Sequence, residues 1–286
     1  MDFAQFARAI GVDVTDTHPS RDIRRCPTLA HPRSDNGAYM WDGERGWVMA
    51  WDGDGEIHWF GGTREWTDDD KRKWMADRDA ARVKKEQGNR RAAMRAAELI
   101  SQCQPGPHGY LRFKGLPDAH ALSLPDETLV IPMRDMRTNE LLGAQLLRWL
   151  PDVRKWEKKM LPGMRAKGAV LRLGARHAHE TILCEGYATG LSIAAAAAQL
   201  RLSAAVLVCF SDSNMVHVAP MVRGQAFVFA DNDESLAGER AAKATGLPYC
   251  MADVVGWDAN DLHQERGLMT VCAKLIEVRM GAMAVP

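Results

Sequence analysis

Apolar and polar positions in the last part of the chain follow two alternating patterns. Short, continuous apolar runs lie at residues 181–184, 204–210, 226–230 and 249–254. Helical patterns lie between and after them, at residues 188–200, 235–245 and 268–280. Buried strands that alternate with helices are typical of a parallel sheet covered on both faces. The pattern predicts an α/β fold, Rossmann-like and with a mostly parallel sheet flanked by helices, for residues 177–286.

Acidic residues follow these apolar runs. Glu185 comes directly after the first run, Asp231 and Asp233 follow the third, and Asp258 and Asp261 follow the fourth. Because ligands of open α/β sheets gather at the carboxyl ends of the strands, we expect these side chains to lie together. Asp231 and Asp233 are two apart, so extended backbone would direct both carboxylates to one side. Hard oxygen ligands of this kind suit Mg²⁺ or Mn²⁺.

Four short motifs occur in the chain in this order: EGYAT at 185–189, SDSNM at 211–215, ADND at 230–233 and DANDL at 258–262. Together they resemble the Toprim domain, the catalytic fold shared by bacterial-type primases, topoisomerases and some nucleases. More narrowly, they resemble the Toprim primases of phages and plasmids. The resemblance covers most of the chain beyond residue 110 and little before it.

The resemblance implies a DNA primase-like nucleotidyltransferase that makes short RNA primers on single-stranded DNA. It implies catalytic roles for Glu185, Asp231 and Asp233, and metal binding by these three together with Asp258 and Asp261. Two ions of Mg²⁺ or Mn²⁺ would stabilise the attacking and leaving oxygens, and the glutamate can serve as a general acid or base. Asp261 either holds a metal through water or caps the helix that follows.

The implied partners are a single-stranded DNA template and ribonucleoside triphosphates. The chain has no GxxxxGK[ST] sequence, so a separate helicase or replication initiator is expected rather than a fused one. Two alternatives stay open at this point. The same acids could hydrolyse phosphodiesters as a Toprim nuclease, or they could be retained in a non-catalytic accessory that binds nucleic acid.

A cluster of cations precedes the acidic motifs. Between residues 151 and 176 there are eight lysines and arginines against two acids. Cations beside a metal centre are what a phosphate backbone or a triphosphate requires, although a solvated loop has the same composition. The residues expected to contact nucleic acid or nucleotide are Lys158, Lys159, Lys167, Arg172, Asp212 and Asn214. For Asp212, the alternative is a helix cap.

The residues before the α/β unit divide into three predicted parts. Residues 104–176, which begin at a Pro/Gly linker, carry strand-like runs at 129–133, 141–149 and 169–173 and read as a mixed α+β accessory region. Residues 67–103 read as a charged helical linker, which Gly88-Asn89 is expected to break into two helices. Residues 1–66 read as a small, β-rich, zinc-ribbon-like unit.

The zinc-ribbon likeness rests on Cys26 and His31, which resemble half of the site that phage and plasmid primases often carry. Zinc requires four ligands, usually in two close pairs, and the second pair is missing here. We therefore expect a degenerate ribbon that binds no zinc. Asp-Gly pairs at 42–43 and 52–53 indicate turns of a small antiparallel sheet.

The composition bears on nucleic-acid binding, on the redox compartment and on membrane insertion. The formal net charge is zero, so any surface that binds nucleic acid must be local. None of the six cysteines forms a CxxC pair, which favours free thiols in a reducing compartment. No apolar run is long enough to span a bilayer. We expect a cytoplasmic protein of a bacterial host cell, without a membrane partner.

Overall fold

The computed structural model describes residues 1–61, 68–175 and 177–283. The chain forms two compact units, Met1–Asp79 and Ala80–Pro286. Arg176, one of the eight cations counted above, lies outside the described residues. In the part of the chain that is described, no helix combines the length and the apolar character needed to cross a membrane.

The first unit packs a short helix on a small antiparallel sheet. Helix α1 (Phe3–Ala9) begins at Asp2, which accepts a hydrogen bond from the Gln5 backbone nitrogen at 2.8 Å. The four strands lie in chain order as β1 (Ser20–Cys26), β2 (Gly37–Trp41), β3 (Gly46–Ala50) and β4 (His58–Phe60). Phe3 stacks on Trp41 with ring centroids 4.6 Å apart. The expected antiparallel sheet is present.

Cys26 and His31 have ordinary structural surroundings in this unit. Cys26 is buried in the small core, and burial raises the pKa of its thiol to about 11. The His31 Nδ1 atom lies 2.6 Å from the Asp52 carboxylate, which also accepts a hydrogen bond from Thr28. The likeness of this unit to a zinc ribbon stays a prediction.

The second unit begins within a long helix and builds the first half of a large sheet. Its elements are α2 (Asp68–Gln102), β5 (Gln104–Gly106), α3 (Gly109–Phe113), β6 (Ala121–Ser123), β7 (Leu129–Asp135), β8 (Leu141–Leu150), β9 (Lys155–Met160) and β10 (Ala169–Leu173). The paired strands expected from the apolar runs at 129–133 and 141–149 are present as β7 and β8.

The remaining elements alternate strand and helix, as the pattern predicts. They are β11 (Glu180–Cys184), α4 (Tyr187–Gln199), β12 (Ala204–Val208), α5 (Asp212–Val218), β13 (Gln225–Ala230), α6 (Ala237–Thr245), β14 (Tyr249–Met251), α7 (Ala259–Arg266) and α8 (Leu268–Met283). Strands β11 to β14 are mutually parallel in the order β14-β13-β11-β12. Helices α4, α7 and α8 pack on one face, and α5 and α6 pack on the other.

This strand order creates a switch point. The chain runs from β11 to β12 on one side, and then returns to place β13 on the other side of β11. Loops at the carboxyl ends of β11 and β13 therefore diverge and leave a crevice, which is where open α/β sheets bind ligands. Glu185 follows β11 and Asp231 follows β13, so the two acids lie on either side of this crevice.

Strand β10 joins the two halves of the unit into one sheet of ten strands. It pairs antiparallel with β7 on one side and with β12 on the other. The predicted boundary between residues 176 and 177 lies between β10 and β11, which are strands of this same sheet. Strands β8 and β9 extend the sheet from β7.

Helix α2 continues through Gly88-Asn89, so the expected break into two helices is wrong. A glycine inside a helix costs about 1 kcal/mol relative to alanine, which tertiary packing can offset. Here the buried side chains of Ala96 and Leu99 pack against Val130 and Leu161. Gly88 lies against Gly163, and a Cβ added at Gly88 would be 3.8 Å from the Gly163 oxygen, an ordinary van der Waals contact.

A buried ion pair fixes the last helix to the sheet, and it yields a prediction. The Arg279 Nε and Nη2 atoms each donate to Glu180 at 2.8 Å, and Glu180 is 6% exposed. Arg279→Met would leave that carboxylate buried and unpaired, so we expect a loss of about 3–5 kcal/mol in the free energy of unfolding, measured with urea.

The matched control lies on the same helix. Lys274 pairs with the exposed Asp253 at 2.6 Å, so Lys274→Met should cost no more than about 1 kcal/mol. Equal losses in the two variants would contradict the importance of the buried pair. A double variant, Arg279→Met with Glu180→Gln, should recover part of the loss because it removes the unpaired charge.

Candidate active site

Four loops at the carboxyl ends of the parallel strands bring carboxylates together. Glu185 follows β11, Asp212 begins α5 after β12, Asp231 follows β13, and Asp258 caps α7 after β14. Each of the other three carboxylates raises the pKa of Asp231, as does Asp233. We call these five side chains the acidic cluster.

Asp231 is the most confined member of the acidic cluster. Burial is the main cause that raises the pKa of its carboxyl, to about 8, and the neighbouring acids add to it. Its Oδ1 atom is buried, and of the buried side-chain polar atoms in the described residues it alone has no hydrogen-bond partner. A buried polar atom without a partner is costly and calls for a functional explanation.

Gly238 in α6 permits this confinement. A Cβ at this position would lie 2.3 Å from the Asp231 backbone oxygen, so only glycine allows the helix to approach so closely. The next residue, Asn232, connects the loops after β13 and β14. Its backbone nitrogen donates to the Trp257 oxygen at 3.1 Å, and its side chain donates to the Ala252 oxygen at 2.9 Å. These bonds place Asp231 beside Asp258.

Glu185 and Asp212 form a hydrogen-bonded carboxyl pair. The pKa of Glu185 is raised to about 7, first by burial and then by the charge of Asp212, while Lys158 opposes the shift. The pKa of Asp212 is raised by burial, and the hydrogen bond from Glu185 and the charge of Arg240 oppose it. The structure thus places Asp212 in the acidic cluster, and Ser211 is the residue whose side chain caps α5.

Asp233 has a different environment from Asp231. Its carboxylate accepts hydrogen bonds from the Ser235 hydroxyl and from the backbone nitrogens of Ala237 and Gly238, the latter at 2.8 Å. These bonds lower its pKa to about 2. Strand β13 ends at Ala230. The expectation that extended backbone directs the Asp231 and Asp233 carboxylates to one side therefore does not apply. The geometry favours Asp233 as an anchor for the start of α6 that adds negative charge to the cluster.

Asp258 and Asp261 form a reciprocal cap at the start of α7. Asp258 accepts from the backbone nitrogen of Asp261 at 2.9 Å, and Asp261 accepts from that of Asp258 at 3.1 Å. The second Asp258 oxygen accepts from Thr189 Oγ1 at 2.9 Å, and Lys114 Nζ lies 3.9 Å from Asp261. Of the two alternatives for Asp261, the geometry favours the cap.

The side chain of Asn214 forms its hydrogen bonds with backbone groups of the protein. Its side chain accepts from Gly168 and donates to the backbone oxygens of Ala169 and Cys209, at 2.7–2.8 Å, and the residue is 7% exposed. These contacts fix the start of α5 to β10. They favour a positioning role for Asn214 over the nucleic-acid contact expected from the sequence.

The predicted cations differ in their distance from the acidic cluster. Lys158 lies close enough to Glu185 to lower its pKa. Lys159 lies on the opposite face of β9 and pairs with Glu157 at 2.8 Å. Lys167 is exposed. Arg172 is half-buried and contacts the Met136 sulfur at 3.6 Å.

Sequence reasoning missed three residues beside the cluster. Thr189 holds Asp258, Arg240 offsets the charge of Asp212, and Lys114 faces Asp261. Thr189 is the last residue of the EGYAT motif, so the sequence carried a signal for it. Arg240 lies on α6, where a solvent-facing position is the ordinary expectation, and Lys114 lies far away in the sequence at the end of α3.

A buried amide network positions the cap of α7. Asn260 is fully buried, and its Nδ2 atom donates to the Lys114 backbone oxygen at 2.8 Å and to Ser192 Oγ at 3.1 Å. His263 Nδ1 contacts the same Ser192 hydroxyl at 3.1 Å. The network ties α7, whose first turn Asp258 caps, to α4 and to the end of α3.

The chemistry of the acidic cluster fits a divalent cation. It offers hard carboxylate oxygens, one of them buried without a partner, and their mutual repulsion would fall if a cation were bound. Across the described residues, no three His, Cys, Asp or Glu side chains are already arranged around one metal position. Ion binding would therefore require side-chain rotation. Asp231 and Glu185, with Asp212 beside them, are the side chains that would hold such an ion after that rotation.

Comparison with known proteins agrees with this geometry. Residues 180–268 match the Toprim domain family. A solved structure described as the "structure of the DnaG catalytic core" is similar over 69% of this chain and 72% of its own, with 14% sequence identity and a TM-score of 0.39. That score is too low to establish a shared fold. No curated protein matches the chain.

All five members of the acidic cluster fall inside the matched segment. The family match thus covers the same strand ends from which the cluster was built. The match to the Toprim domain family covers residues 180–268, the part of the chain from β11 to the start of α8, whose acidic positions converge on one crevice.

Proposed function

We propose that this protein is a metal-dependent nucleotidyltransferase of the primase type, which joins ribonucleotides on a single-stranded DNA template. The observation that carries the proposal is the unpartnered, buried Asp231 oxygen among four other carboxylates at the switch point of the sheet. A protein keeps such repulsion where a cation offsets it. Phosphoryl transfer is the chemistry that a divalent cation in an oxygen-ligand site commonly serves.

The residues around the crevice have different proposed roles. Asp231 and Glu185 hold Mg²⁺ or Mn²⁺, and when bound the ion stabilises the negative charge of the reacting phosphate. Asp258 and Asp233, anchored at helix starts, keep the crevice negative and orient its loops. Lys158 on one side and Arg240 on the other supply positive charge for phosphate oxygens.

We propose that the activity serves replication of a mobile element, because the four motifs resemble those of phage and plasmid primases. The chain lacks a P-loop sequence, so we propose that a separate helicase or initiator opens the duplex. Ribonucleoside triphosphates and a single-stranded template are the proposed substrates.

Incubation with single-stranded DNA, ribonucleotides and Mg²⁺ or Mn²⁺ tests the function. We expect short RNA oligomers that depend on the template and on the metal. A shortened template without oligomers would overturn the proposal in favour of a nuclease. Retained DNA binding with neither product would overturn it in favour of a non-catalytic accessory.

Two neighbouring lysines give a matched test of phosphate contact. The charge of Lys158 lowers the pKa of Glu185, whereas Lys159 pairs with Glu157 on the other face of β9. A charge-assisted phosphate contact contributes about 1.5–3 kcal/mol, so Lys158→Gln should weaken substrate binding about tenfold or more. Lys159→Gln should bind substrate as the parent protein does.

The two lysine variants are compared by fluorescence anisotropy of a labelled strand and by KM for ribonucleotides. A loss in Lys159→Gln as large as that in Lys158→Gln would show that only the general positive charge of β9 matters. That result would contradict the assignment of Lys158 to the crevice.

A further inference from the structure

A cavity with aromatic walls lies beside the crevice, and the proposed function above does not use it. Its volume is about 330 Å³, within the lower range of small-ligand pockets. The lining residues are Asp126, Glu127, Thr128, Arg148, Trp149 and Trp156. Trp149 and Trp156 are opposite each other on β8 and β9, with ring centroids 5.4 Å apart.

The two tryptophans differ in burial, and the difference indicates their roles. Trp156 packs edge-on against Tyr110, at 5.4 Å between ring centroids, and closes the inner wall. Trp149 is 43% exposed, so a large part of the ring faces solvent. An indole held in place on one side and open on the other offers a face on which a flat ring can stack.

The polar lining favours a nucleobase over a phosphate. Two acidic residues, Asp126 and Glu127, belong to the lining, and hydrogen bonding from Thr128 lowers the pKa of Asp126 and keeps it ionised. Arg148 is the one cation of the lining, and its Nε atom donates to Thr128 Oγ1 at 3.2 Å. Two anions repel a phosphate, but they can accept hydrogen bonds from the amino and ring N–H groups of a base.

Two connections place this cavity next to the acidic cluster. Trp156 and Lys158 are two residues apart on β9, so they share a face and lie about 7 Å apart along the strand. Tyr110, which packs on Trp156, is near enough to Asp258 for that carboxylate to raise its pKa. The cavity therefore shares a wall, the Trp156 side of β9, with the lysine that acts on Glu185.

We propose that this cavity binds one base of the nucleic acid or nucleotide substrate, stacked on Trp149. The inference rests on the proposed function for the identity of the ligand, since it names a base subsite for the same substrate. Stacking of a base on an aromatic side chain contributes about 1–3 kcal/mol and tolerates different bases. The lysine on the same face of β9 would meet the adjoining phosphate.

The test uses a single-stranded oligonucleotide that carries one 2-aminopurine, whose fluorescence falls when it stacks. Binding is measured in EDTA without ribonucleotides, so that the strand is neither extended nor cut. We expect quenching with the parent protein. Trp149→Ala should lose the quenching and bind about tenfold more weakly, and Trp149→Phe should keep most of both.

A neighbouring residue provides the matched control. Val153 is 57% exposed in the connection between β8 and β9 and is outside the lining, so Val153→Ala should behave as the parent. An equal loss in Val153→Ala would overturn the stacking assignment, as would parent-like quenching and affinity in Trp149→Ala. Because Trp149 is exposed, its replacement should leave the thermal midpoint of unfolding nearly unchanged, which circular dichroism checks.

A second arm separates the two sources of the base. Quenching of the free 2-aminopurine ribonucleoside triphosphate, lost in Trp149→Ala, would assign the cavity to the incoming nucleotide. Quenching confined to the oligonucleotide would assign it to the template strand. Absence of quenching in both arms would overturn the subsite. A protein that binds the base but makes no primer would overturn the proposed function and leave the subsite standing.

Discussion

Asp231→Asn is expected to lower template-dependent product formation about 1000-fold or more. The Asp231 carboxylate is buried at the switch point, and its Oδ1 atom has no protein partner. A neutral amide removes the charge that would hold a divalent cation, and a cation contributes several kcal/mol of charge stabilisation, where 1.36 kcal/mol corresponds to a factor of ten in rate. The measurement is the initial rate of oligomer synthesis on single-stranded DNA at saturating Mg²⁺ or Mn²⁺.

The control for this variant is another aspartate at the same edge of the sheet. Asp253 follows β14 as Asp231 follows β13, but it pairs with Lys274 at the surface. Asp253→Asn should retain the parent rate. The proposed function would be contradicted if Asp231→Asn also made product at the parent rate. Retained DNA binding in Asp231→Asn would show that the loss concerns the reaction and not the fold.

Much of the C-terminal fold could be predicted from the sequence because local pattern and tertiary structure agree there. The apolar runs are buried on both faces, so each strand reads as a continuous run between helices, as in β11 and β13. The mixed sheet itself could not be predicted in the same way. The antiparallel pairing of β10 with β12 joins residues more than thirty positions apart. The local sequence of neither strand indicates which strand it pairs with.

The acidic positions could be predicted, but their individual roles could not. A carboxylate after a strand looks the same in sequence whether its oxygens meet backbone N–H groups, as in Asp233, or are left without a partner, as in Asp231. The capping pair Asp258 and Asp261 did carry a signal, since acids three apart before a helix are typical of a reciprocal cap.

The sequence likewise does not show which of the cations act on the acidic cluster. Lys158 and Lys159 are adjacent and identical in sequence, and only their alternation on β9 decides which one faces the acidic cluster. Arg240 lies on α6, where a solvent-facing position is the ordinary expectation. Its charge nevertheless acts on Asp212, because α6 begins at the same strand end as the acidic cluster.

The second large effect concerns stability without metal: Asp231→Asn should make the protein more stable at pH 8 in EDTA. In the parent, Asp231 faces Asp258, Glu185, Asp212 and Asp233, and burial with these charges raises its pKa from 3.8 to about 8. Ionising it in the folded state is therefore unfavourable. The shift sets an upper limit of roughly 5 kcal/mol, and we expect a gain of about 3 kcal/mol after local relaxation.

The sign of the pH dependence follows from proton binding. Below pH 4, the Asp231 carboxyl is protonated in both the folded and the unfolded chain, so the substitution should change stability little. Between pH 4 and 8, the folded parent keeps a proton that the unfolded chain has lost, and its stability falls as the pH rises. The advantage of Asp231→Asn should therefore grow over this window and level off above pH 8.

Urea unfolding at several pH values measures this difference, and Mg²⁺ provides the internal check. A cation that binds only the folded parent should restore its stability at pH 8 in proportion to the logarithm of ion concentration, and it should do so much less in Asp231→Asn. Asp253→Asn should follow the parent throughout, because its carboxylate is exposed and paired with Lys274. A less stable Asp231→Asn at pH 8 in EDTA would mean that the carboxylate is not under electrostatic strain. A cation would then not be needed at the switch point, because the folded protein alone would satisfy the charge of Asp231.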